Sequence, residues 1–461
     1  MITNNEKEIQ NKCKNLQIPN YLKDDNYETD AELLQKANLF ALRSKSIFEE
    51  IRKLFKEIIK NKNCEEDGKV EIIIKDEILQ DLVYTCGTFI ALKESWVDSE
   101  LNNKANSVLE SITSLDPERF PSVSRLIQIF ATKILERFVK PCFLQNAEFN
   151  KTSSKAKKQR DKTANSIDES KRLDISLAAS ILEWIVMQIQ HPELDTMISL
   201  IIPPMLTLID DYNVKFKIKG TSILDHLLKQ VKPAIIQRTG LGNIFYEALI
   251  VCLTYQSEEK YLPLLRTSFS AILNLIPLIE SSNIKAQHAK FEKVLFDHII
   301  RGIIFADDRL SIRKVLLEQV PPFADALGIC MVKYLKHLIP AISNILEIPL
   351  NITSNKRILE LHITAAIAFE HIIMTCWPRI PRYEGPILKA IVTSWSQTIA
   401  FEKNEKPTDN FIKFKERLQS LCRLLSFACN SHPQFQNDCQ VLRNLDPDVF
   451  NPLFDQICLE S

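Results

Sequence analysis

The chain has 461 residues, too many for one compact core, so it must divide into domains or into a continuous stack of repeats. Only 8 of these residues are glycine, which argues against folds built on glycine-rich turns or nucleotide-cradling loops and favours helix throughout. The 58 Lys and Arg residues cancel the 58 Asp and Glu residues, which excludes recognition of nucleic acid or an anionic membrane by overall charge.

The predicted elements before residue 145 are amphipathic helices. Apolar residues recur every three or four positions from Ile47 to Ile59, and further helices are expected over residues 70–93 and 123–138. We therefore assign residues 1–144 to an N-terminal helical region. The polar opening stretch, and 11 scattered cysteines without a CxxC pair, predict a reducing intracellular setting, and we expect the protein in the cytoplasm and the nucleus.

Residues 145–172 lose the apolar positions and are predicted to form a disordered basic insertion, because they offer too little apolar surface to offset the entropy of ordering. The basic run Lys155–Arg160 is typical either of a solvated loop or of a nuclear-import or nucleic-acid patch. We expect the solvated loop, and we expect removal of Lys151–Ser166 to leave folding intact.

After the insertion, residues 173–461 are predicted to form paired helices. Residues 201–210 and 338–347 share a pattern of apolar positions, one proline and a terminal acidic residue, and each is interpreted as one helix. Irregular helical repeats of about 40 residues fit this spacing. The predicted fold is all-α, an irregular HEAT-like helical-repeat solenoid, in which stacked neighbours bury each other's apolar faces. No apolar run is expected to span a membrane.

No motif for phosphate or metal chemistry is found in the sequence. The chain lacks GxxxxGK[ST] and GxGxxG, and Gly240-Leu241-Gly242 is interpreted as a helix stop before the next helix. The eight histidines lie far apart, and the spacings of Cys422, Cys429 and Cys439 fit buried helix positions better than zinc ligands. We therefore expect no cofactor, no metal and no catalytic site.

Acidic pairs and tryptophans have simpler explanations than catalysis. The pairs Asp210-Asp211 and Asp307-Asp308 each end an apolar run and precede a basic helix, which is typical of capping, although paired carboxylates can also act as acid and base. Trp184, Trp377 and Trp395 are predicted to be core or interface anchors and not a stacking platform for bases.

The segment Ile201–Leu249 carries the most specific pattern in the chain. The positions that define it are Pro203-Pro204, Leu208, Asp210-Asp211, Lys217, Lys219-Gly220, Leu224, Leu227-Leu228, Thr239-Gly240-Leu241, Phe245, Ala248 and Leu249. At these positions the chain resembles the Tel-two-interacting-protein-two family, the small subunit of the Triple-T co-chaperone complex, and the resemblance extends over about residues 176–400. Within this block Gly220 is expected to let two helices approach closely.

The resemblance implies a protein that is not an enzyme. Its expected partners are two larger helical-repeat subunits of the Triple-T complex, which acts with the ninety-kilodalton heat-shock chaperone to mature and stabilise phosphatidylinositol-kinase-related protein kinases. Nucleic acid and membrane are not expected partners.

A partner-binding surface is predicted within the family block, with Lys215 and Lys219 as an outward pair four residues apart. The predicted residues are Asp210, Asp211, Lys215, Lys219, Arg238, Gly240 and Leu241. Two alternatives remain: a transport or adaptor solenoid that binds other protein cargo, and an enzyme built on a helical scaffold, for which the sequence offers no site.

Overall fold

The computed structural model describes residues 2–22, 31–64, 74–144, 162–306, 308–350, 355–404, 409–429 and 432–455. Within these ranges the backbone is helical or forms short connections, and no strand occurs in them. The predicted all-α, HEAT-like helical-repeat fold is confirmed. The chain divides into two compact units, Met1–Val231 and Lys232–Ser461. The predicted end of an N-terminal region at residue 144 stays a prediction.

The first unit is built from α-helices that pack against one another. Its helices are α1 Ile2–Asn15, α2 Ala31–Cys64, α3 Asp76–Ala91, α4 Ser99–Leu115, α5 Val123–Ile134, α6 Lys162–Gln188, α7 Glu193–Asp210 and α8 Val214–Gln230. Side chains at the helix starts satisfy free backbone N–H groups: Asp98 accepts from Leu101 N and Ser122 accepts from Arg125 N. Helix α2 packs on α4, α3 packs on α4 and α6, and α8 packs on both α6 and α7.

Large aromatic side chains fill the core of the first unit. Phe89 meets Phe48 edge to face with ring centroids 5.1 Å apart, and Trp96 packs against Phe40 at 5.7 Å. Helices α3 and α6 approach closely because Gly87 has no side chain, and a Cβ there would overlap the ring of Trp184. Aromatic pairs in these geometries contribute about 0.5–1.5 kcal/mol each beyond their buried area.

The second unit is also built from α-helices that pack against one another. They are α9 Pro233–Thr239, α10 Leu241–Cys252, α11 Leu262–Ile279, α12 Ile284–Val294, α13 Arg301–Phe305, α14 Leu310–Glu318, α15 Val320–Leu327, α16 Leu335–Leu346, α17 Asn355–Cys376, α18 Glu384–Asn404, α19 Asp409–Ala428, α20 Pro433–Leu445 and α21 Pro447–Phe454. Three segments of the described part of this unit are 3₁₀-helical: Glu259–Tyr261, Gly328–Tyr334 and Trp377–Tyr383. Helix α17 packs on α14 and α19, and α16 packs on α18.

Prolines occupy two kinds of position in these helices. Pro203 and Pro204 lie inside α7, and Pro340 lies inside α16, so each of the two similar segments forms one helix, as predicted. Pro321 instead lies in the first turn of α15, where the missing N–H removes no helical hydrogen bond.

The structure differs from the sequence prediction over residues 162–172. Helix α6 begins at Lys162, within the segment predicted to be disordered. The later part of the same helix, Ile175–Gln188, is apolar. Adding polar turns to the start of an existing helix avoids the cost of nucleation. The remainder of the predicted insertion, residues 145–161, lies outside the described residues.

Within the described residues, three helical stretches have the length and composition to span a membrane, although none was expected from the sequence. They are residues Glu259–Ile279, Leu310–Leu346 and Lys356–Glu402. In the most apolar window of each stretch, 44%, 44% and 67% of the residues are buried inside the protein. Their apolar composition is therefore partly accounted for by the helical core.

Candidate partner-binding surface

The hairpin of α7 and α8 contains residues 201–230 of the family block Ile201–Leu249. Met205 and Leu208 of α7 are buried, and Leu224 and Leu227 of α8 are buried as well. The two helices meet closely at Gly220, where a Cβ would lie 2.8 Å from Ile209 Cγ1 and 2.9 Å from Ile209 N. The predicted role of Gly220 in close helix packing is confirmed.

Lys217 supports this hairpin from within. Its side chain is buried, and its Nζ donates a hydrogen bond to the carbonyl oxygen of Ile209 at 2.6 Å. That carbonyl belongs to the last turn of α7, where backbone oxygens have no partner within the helix. The lysine therefore caps the end of the preceding helix and does not line an exposed edge.

Lys219 also points inward, so the predicted outward pair of Lys215 and Lys219 is wrong. The ammonium group of Lys219 donates a hydrogen bond to Ser180 Oγ on α6, and burial lowers its pKa, although Glu183 and Glu94 act in the opposite direction. Helix α8 is flanked by both α6 and α7, which leaves only a narrow outward stripe. Of the three lysines at 215, 217 and 219, only Lys215 is exposed.

The acidic pair at the end of α7 shapes the turn into α8. Asp210 is exposed, whereas Asp211 is half-buried and its Oδ1 accepts from Asn213 N at 2.7 Å. Asn213 Oδ1 in turn accepts from Lys215 N at 2.9 Å and caps α8. Asp211 therefore shapes the turn, whereas the residue that caps α8 is Asn213 and not a member of the acidic pair. Asp307 of the second pair lies outside the described residues.

The other three predicted residues belong to the second unit. Arg238 is exposed near the end of α9, and Leu241 is half-buried at the start of α10. Gly240 joins these helices with φ of 66°, a left-handed conformation that glycine adopts without a Cβ penalty. The interpretation of this glycine as a helix stop is confirmed. The seven predicted residues are thus divided between two units, four in the first and three in the second.

Cysteine and histidine side chains form no metal centre in the part of the chain that the structure describes. Cys422, Cys429 and Cys439 are buried, as predicted, and burial raises the pKa of Cys429 and of Cys439 to about 12. A thiol with a raised pKa is a poor nucleophile at neutral pH.

The three tryptophans singled out in the sequence occupy different environments. Trp395 is fully buried, and its indole N–H donates to Val449 O at 2.7 Å. Trp184 is half-buried against Gly87. Trp377 is 62% exposed at the start of a 3₁₀ segment, close in sequence to the exposed Arg379. Trp395 is therefore a core residue, whereas Trp377 has the exposure and residue type of an interface anchor.

Comparison with known proteins places the family block inside a longer match. Residues 82–353, more than half of the chain, match the model of the Tti2 family. This match begins well before the region of about 176–400 in which the sequence analysis located the resemblance, so part of the N-terminal helical region also carries the family pattern.

Individual relatives give the same result at lower coverage. Over 219 residues the chain is 27% identical to TELO2-interacting protein 2 of Mus musculus, covering 46% of this chain and 40% of the mouse protein. The identity to TELO2-interacting protein 2 of Homo sapiens is 26% over 222 residues, covering 46% of this chain and 41% of the human protein. The matched region thus spans about two fifths of the length of these relatives.

Among solved structures, the fold is similar to that of the karyopherin Kap121p in its crystal structure bound to RanGTP. The TM-score is 0.50 at 13% sequence identity, covering 94% of this chain and 39% of the Kap121p chain. At this identity the likeness shows the fold alone.

Proposed function

Because this chain belongs to the Tti2 family, we propose that it is a non-enzymatic scaffold subunit of the Triple-T co-chaperone complex. In this role it holds two larger helical-repeat subunits, and through them it supports the ninety-kilodalton heat-shock chaperone in the maturation and stability of phosphatidylinositol-kinase-related protein kinases. The observation that carries the proposal is the family match over residues 82–353, which contains all seven predicted partner-binding residues.

The helical fold supports a scaffold role and not a catalytic one. Stacked helical repeats expose long surfaces, which suit the binding of other proteins. Burial raises the pKa of the Cys429 and Cys439 thiols. In the acidic pair, Asp211 accepts a backbone hydrogen bond in the turn into α8, and Asp210 is exposed. None of these groups has the environment of a nucleophile or of a general acid–base pair.

The exposed edge of the α7–α8 hairpin is the part of the surface that we assign to partner contact in the first unit. Asp210 and Lys215 are exposed at the turn between these helices, whereas Lys217 and Lys219 are held by Ile209 and Ser180. Exposed charges at an interface rim influence encounter rate and partner choice more than folding stability. Reversing the charges of Asp210 and Lys215 is therefore expected to weaken partner binding and to leave folding stability nearly unchanged.

The test is affinity purification of the tagged full chain from native extract, followed by mass spectrometry. We expect the two large helical-repeat subunits to co-purify with the wild-type chain. Asp210→Lys combined with Lys215→Glu should reduce their recovery several-fold, while Lys140→Glu, an exposed lysine of the same unit, should leave recovery unchanged. Absence of both large subunits from the wild-type sample would refute the proposed complex.

A second outcome concerns the surface alone. If the double variant retains both subunits at wild-type levels and keeps its melting temperature, the hairpin edge is not part of the interface. If its melting temperature falls sharply, the two charges support the fold and do not bind partners.

A transport or adaptor role is the alternative function. The likeness to Kap121p supports only the shared helical-repeat architecture. The same purification distinguishes the two functions, since an adaptor would recover varied cargo proteins without a constant pair of large subunits. We also propose residence in both cytoplasm and nucleus, which fluorescence imaging of the tagged chain tests directly.

A further inference from the structure

A groove in the second unit lies between two consecutive helical layers. One wall is α12 with the π-helical turn that follows it, and the other is the end of the 3₁₀ segment Gly328–Tyr334 with the first turn of α16. The groove encloses about 460 Å³. Its lining residues are Ala289, Glu292, Lys293, Phe296, Asp297, Lys333, Tyr334, Lys336 and His337.

The floor of the groove is aromatic. The ring centroid of Phe296 lies 6.1 Å from that of Tyr334 and 5.6 Å from that of His337. All three rings are half-buried, so each keeps part of its surface in contact with solvent. Aromatic rings at such positions offer large apolar area at low conformational cost, and they are enriched at the centres of protein interfaces.

A π-helical turn sets the position of Phe296 on this floor. The turn spans Leu295–Ile300, and the side chain of Gln256 donates to the carbonyl oxygen of His298 at 2.9 Å. Gly302 leaves room for that glutamine, because a Cβ at this position would overlap its amide oxygen. The turn is thus supported by a side chain from a neighbouring connection, and π turns of this kind are frequent at functional sites.

The rim of the groove has an excess of positive charge. Glu292 is paired with Lys333 at 2.6 Å, and Asp297 is paired with Arg301 at 3.3 Å. Lys293 and Lys336 are both exposed, and neither forms an ion pair with any residue that the structure describes. After these pairings, two ammonium groups remain available to a ligand at the edge of an apolar floor.

We propose that this groove binds an acidic peptide segment of a partner protein, one that places an apolar side chain on Phe296 between flanking Asp or Glu residues. The free ammonium groups of Lys293 and Lys336 complement separated carboxylates. The carboxylates of Glu292 and Asp297 lie in the same groove and disfavour a continuous phosphate backbone. A peptide with spaced acids fits this pattern better than a nucleic acid does.

The inference does not depend on the proposed complex. Any partner with an exposed segment that carries acidic and apolar side chains is expected to bind in the groove, whether or not it is a Triple-T subunit. Failure of the groove experiment would therefore leave the family-based function in place, and failure of the co-purification would leave the groove in place.

The experiment uses the full chain and a library of fluorescein-labelled twelve-residue peptides, each with one Phe or Leu at its centre and Asp, Glu, Lys or Ser at the flanking positions. We expect enrichment of peptides with at least two flanking acids. Binding should weaken several-fold as the salt concentration rises through the physiological range, because rim charges are screened by salt.

Two variants and one matched control locate the binding site. The charge reversal Lys293→Glu with Lys336→Glu should weaken the enriched peptide about tenfold or more, and Phe296→Ala should abolish discrimination in favour of the central Phe or Leu. Lys413→Glu, an exposed lysine of the same unit outside the groove, should bind as the wild type does. Since Phe296→Ala can disturb packing, the lysine pair, which lies at the surface, provides the independent test.

Three results would overturn the proposal. The first is a library without enrichment of acidic over basic peptides, and the second is an enriched peptide whose affinity survives the double lysine reversal in a folded protein. The third is tighter binding of a labelled single-stranded oligonucleotide than of any acidic peptide, with the same lysine dependence, which would assign the groove to nucleic acid.

Discussion

Gly220→Ala places the contact between α7 and α8 under a direct test. A Cβ at this position would lie 2.9 Å from the backbone nitrogen of Ile209 and 3.0 Å from Leu208 Cβ, whereas ordinary contact begins at 3.4 Å. The two helices must therefore separate by roughly 0.5 Å, the difference between 3.4 and 2.9 Å. The obstructing atom is backbone, so no rotamer change can relieve the contact.

Two opposing effects decide how much Gly220→Ala changes the stability of the first unit. Alanine is favoured over glycine inside a helix by about 1 kcal/mol. Overpacking a well-packed contact costs about 1–3 kcal/mol, and more where backbone must move. We expect the second effect to exceed the first, so that the variant loses about 1–2 kcal/mol of stability in the first unit. A loss of this size raises the equilibrium constant for opening of the unit by a factor of about 5 to 30.

Hydrogen exchange read by mass spectrometry on the full chain measures this change. The amides of α7 and α8 should exchange faster in Gly220→Ala, while those of the second unit should be unchanged. Gly385→Ala in the first turn of α18 is the matched control, because a Cβ there meets no atom within 4 Å, and it should be neutral or slightly stabilising. If the amides of Gly220→Ala exchange as slowly as those of the wild type, the close approach of the two helices does not exclude a side chain at position 220.

Three other predictions concern buried or exposed side chains. Burial lowers the pKa of Lys219 below its usual 10.5, so the folded state binds this proton less well than the unfolded state does. Lys219→Met should therefore raise the melting temperature at neutral pH, and this gain in melting temperature should shrink as the pH approaches 10.5. Burial likewise lowers the pKa of His362 from 6.5 to about 4, so the free energy of unfolding should fall by about 3 kcal/mol as the pH drops from 6.5 to 4. In acid-unfolding measurements, the His362→Leu variant should lose less free energy of unfolding over the same pH range. Urea unfolding should show a loss of about 3–5 kcal/mol for Trp395→Ala and less than about 0.5 kcal/mol for Trp377→Ala; equal losses for the two would contradict their assignment to core and surface.

The sequence predicted features that depend on local pattern. Three-and-four periodicity and scarce glycine indicated an all-helical chain, and the motif around Gly240 indicated a helix stop that the structure shows with a positive φ. Gly220 could be assigned to a close helix contact because helix interiors otherwise disfavour glycine. These signals are local, so a single sequence carries them.

Orientation within a crowded helix could not be predicted in the same way. Lys215 and Lys219 are four residues apart, and periodicity alone places them on one face. The structure places Lys219 against Ser180 because α8 has neighbours on two sides, and it places Lys217 against the carbonyl of Ile209. Only tertiary packing shows which lysines reach solvent. The groove around Phe296 was missed for a similar reason, since its walls lie about 40 positions apart in the chain.

The π turn at Leu295–Ile300 also affects the helical phase of the segment that contains it. A π-helical turn holds more residues than an α-helical turn, and each added residue rotates the following side chains by about 100°. Val294 before the turn and Ile303 after it are both buried, although a regular α-helix would place residues nine positions apart on opposite faces. Loss of a single residue within the turn would therefore misdirect every apolar side chain on one side of it, so the length of this short segment is under a stricter constraint than its composition.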